Sequence, residues 1–267
     1  MRLNAVKVLG ISITNAPKNE ILEEIRKYLT RKAIIGQKSL KIFTPNTEQL
    51  VFAHKNPDFT SVLNKADITL PDGIGVVWAS TILTKHRVEK SIPGVVFMED
   101  LAATATGCHV PIGLIGGRDN LAVDTLNCLR KKYNLLQDSW ALDGPDVIFQ
   151  NSVLKIQNEN EKIYFDRLAR RIVREGTRIV FVALGPPKQE YFITMLAPLL
   201  SGVILMSVGG SFDILSGRLR RAPVWMRSIG LEWLWRLILE PWRIRRQFAL
   251  VEFVWLVCKE RWLSRPA

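Results

Sequence analysis

An α/β fold with a mostly parallel sheet is expected from three features of the 267-residue sequence. Short β-branched runs alternate with stretches of helical periodicity. The runs end in polar turns rich in glycine and proline, which a parallel sheet would gather along one edge. Finally, 48% hydrophobic residues and a mean hydropathy of +0.09 exclude disordered and low-complexity classes.

The expected strands are residues 6–9, 40–43, 68–70, 112–115, 178–183 and 203–208, with helical periodicity over 20–28, 121–132 and 164–175. Residues 191–212 carry no charge over 22 positions, long enough to suggest a membrane span. Pro198, Ser201 and Gly202 interrupt the stretch and Gly209-Gly210 end it, so it reads as a helix, a turn and a buried strand. Residues 248–258 are apolar for only 11 positions and include Glu252, so no transmembrane helix is expected. The opening MRLNAVKVLGISIT lacks the long apolar core of a signal peptide. Three cysteines without a CxxC spacing suit a reducing, cytoplasmic setting, and three scattered histidines make a metal site unexpected.

The net charge of +12 is unevenly spread. Residues 217–267 hold 11 basic and four acidic residues, whereas residues 1–216 hold 26 and 21. Six of the eight tryptophans also fall after position 217. The expectation is a catalytic α/β body over 1–216 and a basic, Trp-rich helical appendage over 217–267 that docks it.

Five turns carry the candidate chemistry. They are Thr44-Pro45-Asn46-Thr47-Glu48, Pro71-Asp72-Gly73-Ile74-Gly75, Gly116-Gly117-Arg118-Asp119-Asn120, Gly185-Pro186-Pro187-Lys188-Gln189-Glu190 and Gly209-Gly210-Ser211-Phe212-Asp213. Each has a structural explanation as well. Asn46 with Gln49 is a capping-box pattern, and Pro186-Pro187 suits a first helical turn. Gly116-Gly117 exposes backbone N–H groups to a phosphate, yet tight βα turns need glycine anyway. Asp72 stands between turn formers, beyond an apolar strand, where a carboxylate faces the ligand edge. The residues by themselves indicate an enzyme for a phosphorylated or nucleotide ligand.

Taken together these blocks resemble the WecG/TagA/CpsF family of bacterial glycosyltransferases. The resemblance rests on Thr44 to Glu48, Asp67 with Pro71 to Gly75, Val182 to Glu190 and Val208 to Asp213, and in the tail on Arg221-Ala222-Pro223-Val224-Trp225, Gly230 to Arg236 and Glu240-Pro241. It implies a Rossmann-like sheet and an inverting transfer from a UDP-sugar to a polyprenyl-diphosphate-linked saccharide at the inner face of the cell membrane. The sugar it implies is N-acetylmannosamine, its uronic acid or glucose, and the product a teichoic acid or other surface polysaccharide. It makes Asp72 the general base and puts Thr44 and Asn46 in the pocket. Gln189 and Asp213 match further pocket positions, joined in the expected substrate site by Gly116, Gly117, Lys188, Glu190 and Gly210. Where the family usually has an arginine, this chain offers Lys90, a point charge in place of a bidentate fork.

No cofactor is expected. The chain has no DxD triplet, and helix N-termini with a cation can stabilise leaving UDP without a metal. Arg221, Arg236, Arg243, Arg245 and Arg246, interleaved with tryptophans, suit the acceptor diphosphate and an anionic membrane surface. Related enzymes self-associate, so a homo-oligomer fits the resemblance. The competing readings are a nucleic-acid-binding protein using the Arg/Trp-rich tail, for which no motif speaks, and a nucleotide-dependent oxidoreductase, for which GxGxxG is missing.

Overall fold

A computed structural model describes residues 3–31, 36–157, 159–241 and 244–263; the side chains of residues 245–247 lie outside the description. The chain opens with β1 (Ala5–Val8), β2 (Ile11–Thr14) and α1 (Lys18–Thr30), then enters the sheet at β3 (Leu40–Phe43). Helices α2 (Thr47–Lys55) and α3 (Pro57–Asn64) lead to β4 (Ile68–Thr69), and α4 (Ile74–Leu83) and α5 (Gly94–Gly107) lead to β5 (Ile112–Gly116). Next come α6 (Leu121–Tyr133), β6 (Trp140–Leu142), the hairpin β7 (Val147–Gln150) and β8 (Val153–Ile156), and α7 (Glu161–Arg174). The body ends with β9 (Ile179–Ala183), α8 (Lys188–Leu196), β10 (Ile204–Ser207) and α9 (Ser211–Leu215).

Six strands form one parallel sheet in the order β4-β3-β10-β9-β5-β6. Successive residues of its central strands point to opposite faces, and both faces are apolar. Ile42, Ile179, Phe181, Ile204 and Met206 face a core shared with α1, α5 and α6, while Phe43, Val180, Val182 and Leu205 face one shared with α2, α3, α4, α7 and α8. Burial on both sides is why these strands read as continuous apolar runs.

The expected strand at 6–9 lies outside this sheet. Its turn, Leu9-Gly10, has φ of 48° and 79°, a two-residue hairpin geometry that sends the chain straight back to pair antiparallel with β2. Within the long uncharged stretch, β10 is fully buried between β3 and β9. Among the described residues no helix is long and apolar enough to cross a membrane.

Three more helices follow: α10 (Val224–Ser228), α11 (Glu232–Leu239) and α12 (Ile244–Leu263). Helix α12 returns to pack Phe253, Leu256 and Val257 into the core beside α2 and α4, and Lys55 Nζ meets Glu252 Oε2 at 2.7 Å.

The sheet order creates a crevice. β3 and β10 are neighbours, yet α2 leaves β3 toward one face and α9 leaves β10 toward the other, with Phe212 in the opposite core. Their turns diverge at the carboxyl ends of the strands, the switch point where open α/β sheets bind ligands.

Candidate active site

On the β3 side of the crevice, Thr44 is buried and its Oγ1 donates to the Ser207 carbonyl at 3.4 Å. Asn46 is the N-cap of α2. Its Oδ1 accepts the Gln49 N–H at 3.0 Å while Gln49 Oε1 accepts the Asn46 N–H at 3.2 Å, a complete capping box. Capping uses only the oxygen of the Asn46 side chain, so a cap and a pocket role are compatible.

Asp72 leaves β4 in a turn held by two backbone bonds: Asp72 N–H to the Pro45 carbonyl at 3.4 Å, and Ile92 N–H to the Pro71 carbonyl at 2.8 Å. Gly73 follows at φ 90°, a conformation L side chains rarely adopt. The carboxyl accepts the N–H of Gly94, the first residue of α5. Gly94 is a glycine for a local reason, since a Cβ there would stand 3.3 Å from Thr44 Oγ1. Thr44, Gly94 and Asp72 therefore pack as one unit.

The tail closes over this unit by two close approaches. The turn between α10 and α11 brings Gly230 onto Ile74, where a Cβ would come within 2.8 Å of the isoleucine side chain. Arg236 of α11 rests on Gly210, its guanidinium 3.5 Å from the Gly210 carbonyl. Arg221 Nε pairs with Glu232 Oε1 at 3.2 Å. These groups act on Asp72. Close packing around the half-buried Asp72 carboxyl and then the negative Glu232 raise its pKa to about 7, against the pull of Arg236, the Gly94 N–H and Arg221. A carboxyl balanced near neutrality is suited to accept a proton from a substrate.

Behind the crevice is a buried polar group. Gln49, Gln189, Glu190 and Ser207 have almost no exposed surface. Glu190 Oε1 accepts from Gln49 Nε2 at 3.1 Å and Gln189 Nε2 at 2.8 Å, and Gln189 Oε1 accepts the Gly209 N–H at 3.0 Å. Desolvation holds the Glu190 carboxyl at about 7 despite the Gln189 and Gln49 donors and the pull of its own backbone and of the nearby Ser207 hydroxyl.

The crevice thus unites Thr44, Asn46, Asp72, Gly210, Arg221 and Arg236, with Gln189 and Glu190 beneath them. Asp213 is half-buried in the first turn of α9, its carbonyl accepting the Leu219 N–H at 2.8 Å. Lys90 is exposed; among the described residues, Arg236 and Arg221 act on Asp72. Lys188 is turned aside, its Nζ donating to the Val147 carbonyl at 3.3 Å. Gly116 has φ 133°, and a Cβ there would lie 2.3 Å from the Ala183 carbonyl oxygen. The Gly117 N–H donates to that same carbonyl at 3.2 Å. This glycine pair serves the close approach of β5 and β9. Arg243 lies outside the described residues, as do the side chains of Arg245 and Arg246.

Glu232 and Gly94 were not singled out by sequence reasoning. Glu232 belongs to the recognisable Gly-Leu-Glu-Trp block, but only the fold of the tail brings it to Asp72. A groove of about 960 Å³ beside β6, lined by Arg167, Arg170, Arg171 and Arg174 of α7, contains none of the crevice residues. Among the described residues no three His, Cys, Asp or Glu side chains stand together as metal ligands would.

The sequence pattern described as "Glycosyl transferase WecG/TagA/CpsF family" matches residues 6–267. A Bacillus subtilis (strain 168) protein named N-acetylglucosaminyldiphosphoundecaprenol N-acetyl-beta-D-mannosaminyltransferase is 33% identical over 250 residues, 93% of this chain and 91% of that protein. A Bacillus spizizenii (strain ATCC 23059 / NRRL B-14472 / W23) protein of the same name is 31% identical over 226 residues, 84% of this chain and 81% of that one.

Proposed function

Since the chain belongs to the WecG/TagA/CpsF family of glycosyltransferases, we propose that it transfers N-acetylmannosamine from its UDP-sugar to N-acetylglucosaminyl-diphospho-polyprenol, with Asp72 as general base. Donor and acceptor are those implied by the family resemblance and by the names of the two relatives. The single observation that carries the catalytic assignment is the Asp72 carboxyl, held at the α5 N-terminus between Glu232 and two arginines with its pKa near neutrality.

In this reading the ionised Asp72 accepts the proton of the acceptor hydroxyl as that oxygen forms its bond to the anomeric carbon. The bond to UDP breaks on the opposite face, inverting the centre, and the electron pair leaves with the β-phosphate. The same reading gives Arg221 and Arg236, the arginines that act on Asp72, the acceptor diphosphate, and a diphosphate beside Asp72 raises its proton affinity further. The growing charge on UDP is met by the backbone N–H groups of the turns and by arginine, so chelators leave the rate unchanged.

Docking is the second part of the proposal. Ile244, Phe248, Val251, Trp255 and Trp262 recur along α12 at helical spacing and are all exposed, Phe248 at 72% and Val251 at 71%, opposite the buried Phe253, Leu256 and Val257. With Trp225 and Trp233 also exposed and the tail strongly basic, this face suits an anionic membrane on the cytoplasmic side, where the lipid-linked acceptor is reached.

The test is UDP release from UDP-N-acetylmannosamine with a polyprenyl-diphosphate-N-acetylglucosamine acceptor, for wild type and Asp72→Asn. Acceptor-dependent release, reduced about 1,000-fold by the substitution, is expected. Unimpaired release by Asp72→Asn would move the base elsewhere, and release only from the uronic acid or glucose donor would change the sugar.

A further inference from the structure

The buried polar group beneath the crevice has no part in the proton transfer assigned to Asp72, yet its connections span the site. Glu190 has no exposed surface, and its Oε1 is the common end of two chains of hydrogen bonds. One runs from the Asn46 N–H to Gln49 Oε1, and from Gln49 Nε2 to Glu190. The other runs from the Gly209 N–H to Gln189 Oε1, and from Gln189 Nε2 to Glu190. The first chain begins at the N-cap of α2, two residues beyond Thr44. The second begins one residue before Gly210, on which Arg236 rests.

These are the two turns that diverge at the switch point. The one direct bond between the strand ends, Thr44 Oγ1 to the Ser207 carbonyl, is long at 3.4 Å. A transfer site tolerates little play between its walls, since a misplacement of about 1 Å costs about 100-fold in rate. We propose that Glu190 is a positioning residue: its buried carboxyl sets the spacing between the Asn46 cap and the Gly209–Gly210 turn, and through that turn the seat of Arg236. This assigns Glu190 to the frame of the site and not to its substrate contacts, and it rests on the glycosyltransfer reading above.

The demand on Glu190 is for an accepting oxygen in a fixed place. Both chains end on Oε1, while Oε2 and Ser207 Oγ are buried without a partner in hydrogen-bonding geometry. A carboxamide keeps the acceptor and adds a donor on the bare side. Glu190→Gln therefore rescues what Glu190→Leu, of similar size but with no acceptor, destroys.

The experiment measures kcat, KM and backbone amide exchange for wild type, Glu190→Leu, Glu190→Gln and Gln49→Leu. In Glu190→Leu, kcat is expected to fall about 100-fold with KM within about threefold, and the Asn46 and Gly209 amides to exchange faster. Glu190→Gln stays within about threefold of wild type in kcat, with both amides protected. Gln49→Leu frees the Asn46 amide alone, and it supplies the comparison should Glu190→Leu fail to fold. Wild-type kcat in Glu190→Leu, equal damage in Glu190→Gln, or unchanged exchange at both amides would overturn the proposal. Absence of transfer by the wild-type enzyme with every donor would count against the glycosyltransfer reading, not against the brace. Amide exchange then decides alone, because release of Asn46 and Gly209 in Glu190→Leu but not in Glu190→Gln does not depend on the reaction.

Discussion

Arg221 Nε stands 3.2 Å from Glu232 Oε1, and this pair ties the segment that leaves the body to the first turn of α11. Both partners also act on Asp72, in opposite senses: the Glu232 carboxylate raises its pKa and the Arg221 guanidinium lowers it. The tail is thus an electrostatic component of the site as well as a cover over it.

The first prediction follows from those signs. Glu232→Gln removes a negative neighbour, so Asp72 ionises at lower pH and the acid limb of kcat/KM moves down from about 7. Arg221→Gln removes a positive neighbour and moves the limb up. The difference between the two profiles is the quantity to measure, because titration of the substrate phosphates is common to both. Limbs that coincide would separate the tail from the base.

A second prediction concerns stability. Folding raises the Glu190 carboxyl from its ordinary 4.5 to about 7, so the folded state holds the proton more tightly than the unfolded chain does. The resulting stabilisation is fully present below about pH 4.5 and is lost as pH rises through about 7. Glu190→Gln stays neutral throughout. Its melting temperature is expected to match wild type near pH 4 and to exceed it by roughly 5 °C at pH 8.5, from a shift worth about 3 kcal/mol. Asp72 titrates in the same range in both proteins and cancels in the difference.

The sheet was legible because its strands are buried on both faces, so Ile112–Gly116 and Ile179–Ala183 stand out as apolar runs bounded by turns, and Leu40–Phe43 does so with Lys41 as its one polar residue. The 6–9 run was equally apolar, but its partner was decided by the positive φ of Leu9 and Gly10, which hydropathy does not record. Helices α4 and α5 escaped notice because they are apolar nearly all round and lack a stripe. Asp72, Thr44 and Asn46 were legible as turn residues at strand ends. Glu232 was not, because its approach to Asp72 depends on Gly230 meeting Ile74, more than 150 positions away in the chain. The sequence does not show the intramolecular bonds of two expected ligand contacts, Gly117 N–H to the Ala183 carbonyl and Lys188 Nζ to the Val147 carbonyl, because both depend on how β5, β7 and β9 come together.

Two glycines give a third, contrasting prediction. At Gly210, φ of −82° suits any residue, and an added Cβ would meet only the movable end of Arg236, at 2.5 Å. Gly210→Ala is expected to keep its melting temperature while displacing that guanidinium, with about a tenfold loss of kcat/KM. At Gly116, φ of 133° and the fixed Ala183 carbonyl leave no such escape. Gly116→Ala is expected to cost about 3 kcal/mol or more in stability. Denaturant titration and kinetics of the two variants separate a group that moves from a backbone that cannot.

The fourth prediction addresses the exposed stripe of α12. Phe248 and Trp255 are seven residues apart, two helical turns, and 72% and 57% exposed. Neither supports the fold, so Phe248→Glu/Trp255→Glu should melt as wild type does. Each ring removed from a lipid interface forfeits about 1.5 kcal/mol or more, so the double variant should lose about 100-fold in partitioning to vesicles of anionic lipid. Flotation measures this directly. Transfer to a polyprenyl acceptor embedded in those vesicles should fall with it, while transfer to a short-chain, water-soluble acceptor should persist, because the stripe lies on the face of α12 opposite its core contacts and Asp72 is served by α11. Undiminished flotation together with a change from oligomer to monomer in sedimentation would assign the stripe to contact between copies of the chain. Loss of both acceptor activities would mean that α12 supports the crevice itself, through Phe253 and the Gly75–Thr47 contact beneath it.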